Sequence, residues 1–364
     1  MRKIRVMIIE DSDVVRTLLE EIIRRDSRLE VAASVGSAEE GLRLLRKAAP
    51  DVISLDIRLP GMNGFQATKR IMSERPTPIV VVSASVEKGD LKISINALKA
   101  GALAIMEKPV GTTRSDYHRL ADQICTQLAI MSEVKVVRQR RAVAHAAAAW
   151  TQVPRGHGTG TFRMLGIVAS TGGPNALERI LGGLPADFPL PILIVQHITA
   201  AFLEGFGAWL DDVSPFAAAI ARDGEPPAAG RVYLAPADSH LKMRAGRIWL
   251  DPGPMISNQR PSGTALFESL AKELGPQAIG VLLTGMGDDG AEGLLALQSA
   301  GGYTIAEDES TAVVYGMPSA GVRLGAVCES LPLNDIPGRI LDLTAESEKN
   351  REDCGQQSAE DHFS

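Results

Sequence analysis

Apolar residues recur in short runs that end on polar ones. Ile4, Val6, Met7, Ile8 and Ile9 form a run that stops at Glu10-Asp11, after which Val14, Val15, Leu18, Leu19, Ile22 and Ile23 repeat at helical spacing. Strand-like runs follow at Leu29–Val35, Val52–Leu55, Ile79–Val82 and Ala102–Met106, with helix-period stretches over Glu39–Ala48, Gly64–Ser73 and Gly89–Ala100. Five strands alternating with helices predict a parallel, doubly wound sheet.

A second alternation predicts a second α/β core. Strands are expected at Met164–Ala169, Ile192–Gln196, Ala278–Leu283 and Tyr303–Ala306, and helices at Asn175–Leu181, Phe202–Leu210 and Ala291–Ala300. Leu241–Arg244 and Arg247–Leu250 flank Ala245-Gly246 and read as an antiparallel hairpin. Residues 126–162 shift to Arg, Ala and Gly without a strand pattern, and the tail after Ala345 is polar and acidic. The expected organisation is therefore a first domain over 1–125, a linker over 126–162 whose first half is helical, a second domain over 163–344 and a disordered tail over 345–364.

Charge removes some functions. The whole chain carries −6, but residues 163–344 hold 11 basic and 20 acidic side chains. Duplex affinity comes largely from Lys and Arg neutralising phosphates, so a DNA-binding output domain is disfavoured, and no helix-turn-helix pattern is present. Cys125, Cys328 and Cys354 are too scattered for a disulfide framework or a zinc site. No apolar run reaches the ~18–20 residues of a membrane helix, and MRKIRVMIIEDS shows no cleavage signal, so a cytoplasmic protein without membrane insertion is expected.

Ligands of open α/β sheets sit at the carboxyl ends of strands. In the first domain those ends carry Glu10 and Asp11, Asp56, Ser83 and Lys108. Three carboxylates that close suit a hard divalent cation, Mg2+ above all, and a carboxylate in that field can accept a phosphoryl group while Lys108 offsets the charge. Single strand-end carboxylates are often helix caps, but the joint pattern exceeds capping. The acidic pair, the segment SLDIRLPGMNG around Asp56, Ser83 in VVVSAS and the Lys108-Pro109 pair resemble the response-regulator receiver family over residues 4 to about 125. The resemblance implies a flavodoxin-like sheet of order 2-1-3-4-5. It also implies Asp56 as phosphoacceptor, Glu10, Asp11 and Asp56 as magnesium ligands, Ser83 as switch hydroxyl and Lys108 as phosphate partner. Ile105 stands where that family often has an aromatic residue.

In the second domain, LGIVASTGGP puts Ser170 where a strand passes to a helix, with Pro174 suited to the first turn. Such a turn can hold a phosphate or serve a serine nucleophile, and STGGP matches no standard phosphate or hydrolase motif. His197 ends the apolar run ILIVQ, and Asp289 follows Ile279–Leu283 within TGMGDDG, so three strand ends offer Ser, His and Asp. His240 competes as the base, and Asp288 competes with Asp289 as the acid. His118, His145, His157 and His362 lie in the first domain, linker and tail.

The motifs ASTGGP, VQH, YLAPADSH, RPSGTALF and LLTGMGDDGAEG resemble the protein-glutamate methylesterases of bacterial chemotaxis, the CheB family, over about residues 163–340. That resemblance implies Ser170 as nucleophile, His197 as base, Asp289 as orienting acid, and Thr171 and Met286 beside the oxyanion. It further implies hydrolysis of γ-methyl glutamate esters on chemoreceptor helices with release of methanol, deamidation of receptor glutamines, and a histidine kinase as phosphodonor. Ile198-Thr199-Ala200 replaces the Met-Pro-Pro common in the family after the histidine. A phosphorylation-controlled module holding a nucleotide in its STGG and GMGDDG loops, without hydrolysis, is the alternative.

Overall fold

The computed structural model describes residues 2–83, 97–98, 100–109, 114–134 and 162–345. The chain divides into two compact units, Met1–Thr151 and Gln152–Ser364. Most of the expected helix Gly89–Ala100, most of the linker 126–162 and nearly all of the tail 345–364 lie outside the described residues.

The first unit runs β1 (Ile4–Ile9), α1 (Asp13–Arg25), β2 (Leu29–Val35), α2 (Ala38–Ala48), β3 (Val52–Leu55), α3 (Gly64–Glu74), β4 (Ile79–Ser83), β5 (Ala104–Glu107) and α4 (Arg114–Met131). Its sheet is parallel with order β2-β1-β3-β4-β5, as expected. β3 and β4 are buried along their whole length because helices cover both faces of a parallel sheet, which is why they read as unbroken apolar runs. Two of its βα turns are closed by local chemistry. The Ser12 hydroxyl accepts the Val15 N–H at the start of α1, and Asn63 and Gln66 form a reciprocal capping box on α3. β5 starts two residues later than expected, and α4 continues past residue 125.

The second unit contains β6 (Met164–Ala169), α5 (Gly173–Gly182), β7 (Ile192–Gln196), α6 (Ala200–Val213), β8 (Ala217–Ile220), β9 (Arg231–Leu234), β10 (His240–Arg244), β11 (Arg247–Asp251), α7 (Gly263–Glu273), β12 (Ala278–Leu282), α8 (Ala291–Ser299), β13 (Tyr303–Glu307), α9 (Met317–Arg323) and β14 (Glu329–Leu331). Seven strands form one parallel sheet ordered β14-β13-β12-β6-β7-β9-β8. β10 and β11 form the expected hairpin, and Ala245 and Gly246 both take positive φ, the backbone a two-residue turn requires. Phe267, Leu266 and Leu270 of α7 pack with Val168, Leu282 and Leu294 in the core.

β6 is the strand at which the chain order reverses. β7 follows it on one side, and β12 returns much later on the other. The crevice above its carboxyl end is therefore where an open α/β sheet binds a ligand, and Ser170 is the next residue.

Candidate active site

Backbone hydrogen bonds assemble the crevice. Ala169 pairs with Gln196 in the ladder, so Ser170 and His197 are the next residues on neighbouring strands, and the His197 N–H donates to the Ala169 carbonyl at 3.0 Å. On the other side the Ser170 N–H donates to the Thr284 carbonyl at 3.0 Å, just past β12. The Ser170 carbonyl accepts the Gly173 N–H and the Gln196 side-chain amide, at 2.9 and 2.8 Å, and that same amide reaches the His197 carbonyl at 3.1 Å. Gln196 thus ties Ser170 and His197 to one frame. Its only signal in the sequence is a polar last residue on an apolar strand.

His197 Nε2 meets Asp289 Oδ2 at 2.9 Å, with the histidine side chain 10% and the aspartate 3% exposed. Holding Nε2 leaves Nδ1 as the ring nitrogen that can serve a hydroxyl, the reverse of the arrangement in which the acid holds Nδ1. Asp289 sits in a cradle at the start of α7. Its Oδ1 accepts the Ser262 hydroxyl at 2.6 Å and the Thr264 N–H at 3.2 Å, and Oδ2 also accepts the Gly263 N–H at 2.6 Å. Burial pushes the Asp289 carboxyl up, but His197, Ser262 and the Gly263 N–H outweigh it and hold its pKa below the ordinary value. A helix N-terminus adds to the preference for the anion.

This geometry separates the competitors. Asp288 is exposed while Asp289 is buried on the histidine. His240 is buried with both ring nitrogens engaged, Nδ1 accepting the Ser262 N–H at 3.2 Å and Nε2 on the Pro254 carbonyl at 2.9 Å, so it supports the cradle and is unavailable as a base. Thr171 follows Ser170 directly, and its carbonyl accepts the Thr284 hydroxyl at 2.9 Å. Met286 is 44% exposed and follows Gly285, where a Cβ would lie 2.7 Å from Ser170 Cβ and overlap the Met317 sulfur. A nucleotide-binding loop has no use for a buried His–Asp pair, so the arrangement favours acyl chemistry.

In the first unit Glu10, Asp11 and Asp56 each bring a carboxylate oxygen within 4.8 Å of the others, an all-oxygen donor set of the kind a receiver magnesium site offers. Lys108 Nζ lies 2.8 Å from Glu10 Oε2 and 2.9 Å from Asp56 Oδ2, yet neither oxygen meets hydrogen-bond geometry, which leaves acceptor capacity in a buried pocket. Burial, and then the neighbouring Asp56, raise the Glu10 pKa to about 7. Burial also raises Asp56 against the pull of Lys108. Charge is held there at a cost that a divalent cation would relieve, so the residues fit the ion. Ser83 is buried at the end of β4, and its carbonyl accepts the Lys108 N–H at 3.0 Å. Ile105 packs against the core of this unit.

Two family models match the chain, the response regulator receiver domain over residues 6–116 and the CheB methylesterase over residues 165–340. A protein-glutamate methylesterase/protein-glutamine glutaminase of Paramagnetospirillum magneticum is 56% identical over 96% of this chain and 99% of its own length. A Myxococcus xanthus protein of the same description is 42% identical over 93% of this chain and 96% of its own. Among solved structures, the CheB methylesterase catalytic domain of Thermotoga maritima is 37% identical and aligns with 50% of this chain and 99% of that domain at a TM-score of 0.49. Among the described residues no helix is long and apolar enough to cross a membrane. With the two matches following one another along the chain and relatives aligned along nearly their whole length, the chain belongs to the CheB family of protein-glutamate methylesterases, a receiver domain preceding a methylesterase domain.

Proposed function

We propose that this protein is a cytoplasmic, phosphorylation-activated hydrolase. It removes methyl esters from γ-glutamyl side chains of chemoreceptor helices, releasing methanol, and deamidates receptor glutamines at the same site. The observation that carries the reading is the buried 2.9 Å His197–Asp289 contact on the strand next to Ser170. We assign the receiver to residues 1–125, the linker to 126–162, the catalytic domain to 163–344 and the tail to 345–364.

Ser170 attacks the ester carbonyl as His197 takes its proton, and Asp289 fixes the imidazole tautomer and offsets the charge that forms on it. The backbone at Thr171 and Met286 faces the developing oxyanion. His197 returns its proton to the departing methoxide, and water, deprotonated by the same imidazole, then splits the acyl-enzyme. For glutamine the leaving group is ammonia.

In the receiver, Asp56 accepts a phosphoryl group from a histidine kinase, Lys108 pairs with the added charge, and Ser83 follows as the switch hydroxyl. Glu10, Asp11 and Asp56 would hold Mg2+, which supplies charge neutralisation at the phosphoryl oxygens. Asp56→Asn tests the coupling. Methanol release from methylated receptor membranes is expected to lose its stimulation by a phosphodonor and to keep the unstimulated rate. Stimulation that survives in this variant would remove Asp56 as the phosphoacceptor.

Gly285→Ala tests the closeness of the nucleophile to the β12 loop. A methyl there displaces Ser170 or Met317 by steric overlap. A misplacement of about 1 Å costs on the order of 100-fold in kcat. A variant with unchanged kcat would show that the crevice has room that the packing denies.

A further inference from the structure

We infer that Glu307 is a positioning residue for the oxyanion side of the site, acting through Thr284 on the backbone of Ser170, Thr171 and Gly285. The inference rests on the esterase reading above. Glu307 ends β13, at the position after Ala306, which pairs with Leu282 of β12. Its side chain is fully buried, so it cannot touch substrate.

The chemistry begins where the β12 ladder stops. The Leu283 N–H still donates to the Val168 carbonyl at 2.9 Å, but the Thr284 N–H has passed the last strand partner. Glu307 Oε2 accepts it at 2.9 Å. Thr284 then joins three segments. Its carbonyl accepts the Ser170 N–H at 3.0 Å, its hydroxyl donates to the Thr171 carbonyl at 2.9 Å, and that hydroxyl accepts the Val314 N–H at 2.9 Å. The Gly285 N–H completes the tie by donating to the Val314 carbonyl at 3.0 Å. Without Glu307 the Thr284 N–H is buried and unpaired, an unfavourable state, and the loop relaxes to satisfy it. Any such relaxation carries Ser170, Thr171 and Gly285 with it.

Glu307 is an unusual choice for a purely structural acceptor. Oε1 has no partner in hydrogen-bond geometry, although the Thr311 hydroxyl stands close enough to favour the charged form. Burial raises the pKa to about 7, with Asp308 adding to the rise and the Thr284 N–H and Arg179 opposing it. Glutamine has the shape of the neutral acid and keeps the acceptor oxygen, so it serves as the conservative replacement.

The test compares full-length wild type, E307Q, E307A, T284V and S170A in methanol release from methylated receptor membranes, with thermal melting alongside. E307A and T284V are expected to lower kcat on the order of 10- to 100-fold at unchanged KM, while E307Q stays on the order of wild type. Wild-type kcat in either E307A or T284V overturns the inference, as does E307Q as impaired as E307A. If E307A does not fold, the inference is overturned by wild-type kcat in T284V or by an E307Q kcat lowered as far as that of T284V. If S170A retains hydrolysis, the esterase reading itself has failed. If S170A is inactive while T284V is normal, only the positioning role falls.

Discussion

Replacing Ser170 with alanine is expected to lower kcat for ester hydrolysis on the order of 10⁶-fold, the scale at which loss of a serine nucleophile leaves only binding and oxyanion stabilisation. The variant tests chemistry and little else. Ser170 is held by its backbone, with its N–H on Thr284 and its carbonyl on Gly173 and Gln196, and none of these bonds uses the hydroxyl. Stability should therefore move by no more than about 0.5 kcal/mol, and thermal melting checks it. Ammonia release from receptor glutamines should fall in parallel with methanol release. A variant that loses one activity and keeps the other would mean that deamidation uses a different nucleophile.

Much of this was legible in the sequence for a physical reason. In a parallel sheet the strands are apolar along their whole length and stop abruptly, so the first polar residue after each run marks the functional edge. That rule locates Glu10, Asp56 and Ser170 and falls one residue short of Lys108 and His197, at Glu107 and Gln196, and it finds β6, β7, β12 and β13 within a residue or so. It fails where the strand is weak or the neighbour is distant. β8 is an Ala-rich edge strand whose residues alternate between exposed and half-buried, and alanine has little preference for a sheet. β9 is four residues long and opens with an exposed arginine.

The supporting residues were illegible for another reason. Asp288 and Asp289 are adjacent acids with the same local signal, and only the packing of α7 under the second decides which turns inward. Ser262 reads as an ordinary helix N-cap, which it is, since its hydroxyl accepts the Ala265 N–H. That the same hydroxyl donates to Asp289 depends on a chain segment 27 residues away. His240 looks like a candidate base until its two nitrogens are seen to be engaged. Periodicity reports burial, whereas these roles depend on which buried groups meet.

The cradle around Asp289 makes Asp289→Asn the second large loss. An aspartate accepts on both oxygens, and here Oδ1 takes the Ser262 hydroxyl and the Thr264 N–H while Oδ2 takes the Gly263 N–H beside His197. Asparagine must turn an NH2 toward one of those sets. Facing Gly263, it sets donor against donor at a 2.6 Å separation and offers His197 a donor in place of an acceptor, so that Nε2 becomes the lone-pair nitrogen and Nδ1 carries the proton. The base is then the wrong tautomer, a change that costs on the order of 10⁴-fold in kcat in serine hydrolases. Facing Thr264 instead, it preserves the tautomer but leaves a backbone N–H without an acceptor, at a cost of about 1–3 kcal/mol in stability. The two outcomes are separable. A large fall in kcat with a modest shift in melting temperature marks the tautomer error, whereas near-normal kcat in a destabilised protein marks the second rotamer. Unchanged values of both would mean that the carboxylate does not orient His197, and Asp289 would lose its place in the mechanism.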